Sequence, residues 1–159
     1  MKKYDHYIGL DWAQENMAIA RMTKKSDELS VIDVPSDMSE LKEYLKKLKG
    51  AKILTFEETS TAQWLYTELN EFVDEIIVCD PYRNRLLLEG PKNDRIDAKK
   101  LVQLLRSNLL KPVFHTANHF VDLRKIVSGY EDCVKAYVRA ANQRSSLFRA
   151  VGKIAKKTP

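Results

Sequence analysis

The stretch "HYIGLDWAQENMAIARM" (residues 6–22) holds two short apolar runs, 6–12 and 16–22, on either side of the polar pair Gln14 and Glu15. Apolar runs of this length bounded by polar residues read as strands, and two across so short a break read as a hairpin. The next run, "ELSVIDV" (28–34), alternates apolar with polar side chains and supplies a third strand. The chain therefore opens on an antiparallel meander. Pro35 and Ser36 end it, and Ser36 and Ser39 are the expected N-caps of a helix of about 12 residues. That helix carries Leu41, Tyr44, Leu45 and Leu48 on one stripe and stops at Gly50.

Beyond the meander the pattern changes from hairpin to alternation. "KILTFEE" (52–58) reads as a strand, and "STAQWLYTELNEF" (60–72) places Ala62, Leu65, Tyr66 and Leu69 at helical spacing. "DEIIVCDP" (74–81) is a further buried-strand signal closed by Pro81. Single strands alternating with helices imply parallel neighbours joined by right-handed crossovers. Residues 81–93, with two prolines, one glycine and no clear periodicity, are expected to form a loop. From Asp94, the residues Ala98, Leu101, Val102, Leu104 and Leu105 mark an amphipathic helix ending near Asn108. The predicted fold is α/β, a mixed sheet with element order βββαβαβα, and "LLKPVFHTA" (109–117) is read as a connector.

A different periodicity follows. A 4–3 repeat runs through Leu123, Val127, Tyr130, Val134, Tyr137, Ala141, Arg144, Phe148, Val151 and Ala155, with Arg144 its one charged member. Such spacing is that of a coiled-coil seam. As one helix, residues 119–157 would span about 58 Å, whereas the preceding part of the chain would have a radius of gyration near ~13 Å. The helix either doubles back, with Gly129 or Gly152 as the weak points, or pairs with another chain. A stripe of this length needs a partner, which favours pairing and hence a homo-oligomer. The predicted domains are 1–115, an α/β core, and 116–159, a basic helical arm.

With 159 residues, 44% hydrophobic and 31% charged, the chain suits one compact domain plus an extension. No window has the apolar length of a membrane span, and Lys2 and Lys3 are followed by no apolar leader segment, so a cytoplasmic protein without a membrane partner is expected. Cys79 and Cys133 lie far apart and in no CxxC spacing, which argues against a structural zinc site; both are expected in the core. The formal charge of +5 suits a polyanionic partner.

The acids fall at element ends. Asp11 ends the first strand, Glu57 and Glu58 end the fourth, and Asp94 and Asp97 open the helix after the fifth. If the first strand lies beside the fourth, the strand-end acids become neighbours. The helix can then bring Asp97, and with it Asp94, over the same edge, since positions i and i+3 share a face. Taken singly, Asp94 and Asp97 suit the positive end of a helix dipole and Asp11 suits a turn. Gathered together, carboxylates repel unless cations stand among them, and hard oxygen ligands suit Mg²⁺ or Mn²⁺. Two such ions serve phosphodiester cleavage and transfer. Alternation along 52–58 leaves Glu57 and Glu58 equally available.

"IGLDWA", "FEETS" and "KNDRIDAKKL" together resemble the motif series of the DEDD transposases of bacterial insertion sequences. The N-terminal domain of that family is similar to the RuvC-type junction resolvases, and pilin-gene-inverting recombinases belong to it. The resemblance implies a ribonuclease-H-like core to about residue 115, followed by the family's long helices. It also implies a metal-dependent catalytic set of Asp11, Glu57 (rather than Glu58), Asp94 and Asp97, holding two Mg²⁺ or Mn²⁺ ions. Ser60 departs from the family's usual glycine, and the lysine often found after the first aspartate is absent. DNA is the implied partner, with a structured guide RNA as a further one. A second domain bearing a nucleophilic serine follows in full-length members; the chain is expected to be the part that precedes it, and none of its serines takes that role.

Two basic groups accompany the acids. Arg83, Arg85, Lys92 and Arg95 surround the start of the helix at Asp94. After Asp132 there is no acid, while Lys135, Arg139, Arg144, Arg149 and Lys153 follow, with Tyr137 and Phe148 interleaved. Such a run attracts nucleic-acid phosphates without specifying sequence, or is simply a solvated helix face. A sugar-kinase or actin-like ATPase is excluded because the five glycines, at 9, 50, 90, 129 and 152, form no phosphate loop. Rival readings are a non-catalytic nucleic-acid-binding or dimerisation module and a junction-resolving nuclease. His115 and His119 have i, i+4 spacing but straddle a helix start and lack a third ligand, so no metal is assigned to them. Trp12 and Trp64 are expected to pack rather than stack on bases.

Overall fold

The computed structural model describes residues 4–83, 94–116 and 120–154. Ten elements follow one another: β1 (His6–Trp12), β2 (Asn16–Thr23), β3 (Ser30–Pro35), α1 (Met38–Lys47), β4 (Lys52–Glu57), α2 (Ala62–Leu69), β5 (Glu75–Cys79), α3 (Asp94–Arg106), β6 (Pro112–Val113) and α4 (Phe120–Ala150). The chain separates into two compact units, residues 1–117 and 118–159.

In the first unit the six strands form one mixed sheet in the order β3-β2-β1-β4-β5-β6. The β1–β2 and β2–β3 pairs are antiparallel, β1–β4 and β4–β5 are parallel, and β5–β6 is antiparallel. Strand β6 is an addition to the predicted order. Its two residues are too few for alternation to show, and Pro112, which cannot donate to a ladder, suits a sheet edge.

Strand alternation sorts the core into two layers. Ile8, Leu10, Met17, Ile19, Leu54, Phe56 and Val78 face one way and pack with Leu41 and Leu45 of α1 and Leu65 and Leu69 of α2. Ala18, Ala20 and Met22 face the other way, against Ala98 and Val102 of α3, and Cys79 meets Leu101 and Leu104 there. Helix α3 approaches β1 closely because position 9 is glycine. A Cβ there would stand 2.6 Å from the Ala98 carbonyl oxygen and 2.9 Å from the Val102 nitrogen, both backbone atoms.

The helix ends show local corrections. Asp37, not Ser36 or Ser39, caps α1, its carboxylate accepting from the Ser39 and Glu40 backbone N–H groups. The Ser36 hydroxyl instead donates to the Ala13 carbonyl at 2.7 Å. Helix α3 closes on Asn108, whose φ of 55° is left-handed. The bonds Asn108 N–H to Leu105 and Leu109 N–H to Leu104 make this a Schellman end.

The second unit is dominated by α4, which runs unbroken through Gly129. It stops short of the predicted residue 157 because Gly152, at φ 70°, turns the chain. Gly152 N–H bonds to the Arg149 carbonyl and Lys153 N–H to that of Phe148, a second Schellman end. No described residue of α4 is buried: Leu123, Val127, Tyr130, Val134, Tyr137 and Phe148 of the seam are all exposed. Cys133 is exposed as well, contrary to its expected core position, whereas Cys79 is buried. Among the described residues no helix is long and apolar enough to cross a membrane.

Candidate functional site

Successive side chains of a strand point to opposite faces, so position parity decides which acids can meet. In β1, Gly9 faces α3, and Asp11, two residues on, shares that face. The parallel register pairs Gly9 with Thr55; continued by two residues it sets Glu57 beside Asp11. Glu57 also pairs with Cys79, which packs beneath α3. Opposite Asp11 on β2 stands Ala18, small and buried, and next to Ala18 on β3 stands Asp33. Arg95 in the first turn of α3 reaches Asp33 at 2.9 Å and ties that turn to the same row of the sheet.

The first turn of α3 thus brings Asp94 and Asp97 to the end of β1. Electrostatics registers the convergence. The partly buried Asp11 carboxyl is raised from 3.8 to about 6, first by burial and then by the charges of Asp94, Asp97 and Glu57. The Cys79 thiol is pushed up to about 12, chiefly by burial and next by Glu57. Lys100 stands 3.9 Å from Asp97 and partly offsets the negative charge.

Asp11, Glu57, Asp94 and Asp97 are hard oxygen ligands whose mutual repulsion a divalent cation would relieve, so in kind they would suit Mg²⁺ or Mn²⁺. Among the described residues no three acidic, histidine or cysteine side chains stand close enough to hold one ion.

The basic residues are distributed unevenly. Arg83 pairs with Asp80 at 3.3 Å and Arg95 with Asp33; Arg85 and Lys92 lie outside the described residues. On α4, Lys135 reaches Asp132 at 3.4 Å and Glu131 at 3.9 Å, and the Arg144 guanidinium lies 5.9 Å from the Phe148 ring. Arg149 donates to the Ser145 carbonyl at 3.3 Å, while Arg139 and Lys153 are exposed. Trp12 and Trp64 meet edge to face at 5.5 Å, with Trp64 still exposed.

Sequence reasoning weighed His115 only as a metal ligand and gave it no role. It is buried on the α2 side, where its Nε2 pairs with the Glu58 carboxylate and its Nδ1 lies 3.0 Å from Gln63 Oε1. His119, four residues on, lies outside the described residues. Glu58 therefore belongs to another network than Glu57. The signal was present in the alternation of β4: Leu54 and Phe56 are deeply buried on the α1/α2 side, and Glu58 continues their parity.

No curated protein matches this chain. A family profile described as transposase, that of the DEDD transposases of the IS110 type, does match, over residues 8–152. That span runs from Ile8 in β1, through the acids at the ends of β1, β4 and α3, to Gly152 at the end of α4, and the chain belongs to this DEDD transposase family.

Proposed function

We propose that the first unit is the catalytic domain of a DEDD transposase, a ribonuclease-H-like core that cleaves and transfers DNA strands during transposition. Asp11, Glu57, Asp94 and Asp97 are its metal-binding and catalytic residues. The observation that carries this reading is the convergence of Asp11 and Glu57 on the sheet face beneath the first turn of α3, where Asp94 and Asp97 act on Asp11. Membership of the family supports it, since transposases act on DNA and this family is generally metal-dependent.

Two Mg²⁺ or Mn²⁺ ions bound there would polarise the scissile phosphate and stabilise the leaving oxygen. The chain's own residues do the holding. Asp11 and Glu57 offer carboxylates from neighbouring strand ends, fixed by the sheet. Asp94 and Asp97 offer theirs from one helical turn, fixed by the Arg95–Asp33 pair and by the close seat of α3 on Gly9. In this reading residues 1–115 are the catalytic domain and 116–159 the basic arm, within two residues of the division between the two compact units. The arm's exposed apolar stripe pairs with a second copy as a coiled coil, and Lys135, Arg139, Arg144, Arg149 and Lys153 attract the phosphates of DNA, or of a structured RNA, together with Arg83, Arg85, Lys92 and Arg95.

Calorimetric titration with Mn²⁺ tests the centre. The wild-type chain is expected to bind, and folded Asp11→Asn and Asp97→Asn variants to bind at least about tenfold more weakly. Equal binding by wild type and both variants would overturn the assignment and leave a nucleic-acid-binding or dimerisation module.

A further inference from the structure

We propose that His115 is a positioning residue for the metal centre, acting through Glu58 to hold Glu57 on the α3 face of the sheet. The inference rests on the reading of Glu57 as a metal ligand. Its geometry lies wholly on the opposite face, in residues to which no role has been given.

Glu57 is the last residue of β4, where the sheet's hold on the chain runs out. One further bond, Glu58 N–H to the Cys79 carbonyl at 2.8 Å, extends the ladder by a residue. Beyond that bond, the anchorage of the Glu58 side chain helps to hold the last two side chains on their faces. Adjacent side chains of an extended strand point to opposite faces, so anchoring the Glu58 carboxylate on the α2 side sends Glu57 toward Asp11. Without an anchor, a slip of one residue at a strand end exchanges the two faces.

His115 is suited to be that anchor. Its side chain is 2% exposed, so its two ring nitrogens must be satisfied within the protein. Nε2 meets Glu58, and Nδ1 meets Gln63 Oε1. The Gln63 amide nitrogen donates to the Thr116 carbonyl at 3.0 Å, which fixes the amide so that its oxygen faces His115. The ring is thereby locked between the start of α2 and the segment after β6. It cannot follow Glu58 if the strand end moves; it resists the movement.

The test uses Mn²⁺ calorimetry on the whole chain, well below the melting temperature of each variant, with Asp11→Asn as reference. His115→Asn and Glu58→Ala are each expected to weaken Mn²⁺ binding by about tenfold, the low end for residues that orient a ligand. The double variant is expected to be no weaker than either single one, because both changes cut the same link. A folded His115→Asn chain with wild-type affinity and a lowered melting temperature would overturn the proposal and make His115 a packing residue. Additive losses would show that it does not act through Glu58. If His115→Asn fails to fold, Glu58→Ala decides alone: tenfold weaker binding supports the link, and unchanged binding overturns it. Should Asp11→Asn also bind as the wild type does, the metal centre itself is refuted and this proposal with it.

Discussion

Asp11 is held in an uncomfortable place. Burial and three neighbouring acids raise its carboxyl from 3.8 to about 6, so between those values the folded chain keeps a proton that the unfolded chain has released. Stability contributed by this group is therefore present below pH 3.8 and lost as pH rises through about 6. Allowing for partial exposure, the loss is on the order of 1–2 kcal/mol. In chelator, Asp11→Asn should recover that amount at pH 7 and very little at pH 3.8, the ordinary value for this carboxyl, as read by urea unfolding at the two pH values. A variant less stable than wild type at pH 7 would show that the site is not under the strain described. The strand-end position of Asp11 is legible in "IGLDWA". Its field is not, because two of its three sources come from a helix more than 80 residues later.

Helix α3 sets the distance between the two pairs of acids, and where it crosses Gly9 its backbone lies directly against β1. Gly9→Ala would drive a methyl group to 2.6 Å from the Ala98 carbonyl, so the helix must lift. We expect destabilisation of about 1–3 kcal/mol, typical of an overpacked core, together with weaker Mn²⁺ binding. Unchanged melting and metal binding would mean that α3 is not seated as described. The element's existence and its buried face were readable from the spacing of Ala98, Leu101, Val102 and Leu105. The need for glycine at position 9 was not, since a close approach depends on which helix crosses which strand. The same limit explains Asp37, Gly152 and His115. Several residues near each helix end could serve as caps, and a lone histidine in a connector carries no periodicity. Alternation along β4 did hold the distinction between Glu57 and Glu58, but it becomes decisive only once α2 and α3 are known to lie on opposite faces of the sheet.

Across the whole molecule the two units differ in how they obtain stability. The first has buried layers on both sides of its sheet, whereas α4 exposes Leu123, Val127, Tyr130, Val134 and Tyr137 along one stripe. If that stripe pairs with a second copy, Ala141→Asp, a charge placed in the seam, should reduce the mass measured by light scattering toward that of one chain. An unchanged mass would remove the seam from consideration.

The capped but unburied α4 also bears on what a melting temperature of this protein means. A helix of 31 residues with no buried side chain owes its order to local propensity, to pairs such as Lys135 with Glu131 and Arg144 with Phe148, and to whatever covers its stripe. Its heat of unfolding need not be absorbed together with that of the sheet. Any share that comes from association grows with protein concentration, whereas the transition of the α/β unit does not depend on it. If the stripe pairs with a second copy, thermal unfolding of the chain is the sum of two processes, one unimolecular and one governed by mass action, and a single free energy of unfolding describes neither.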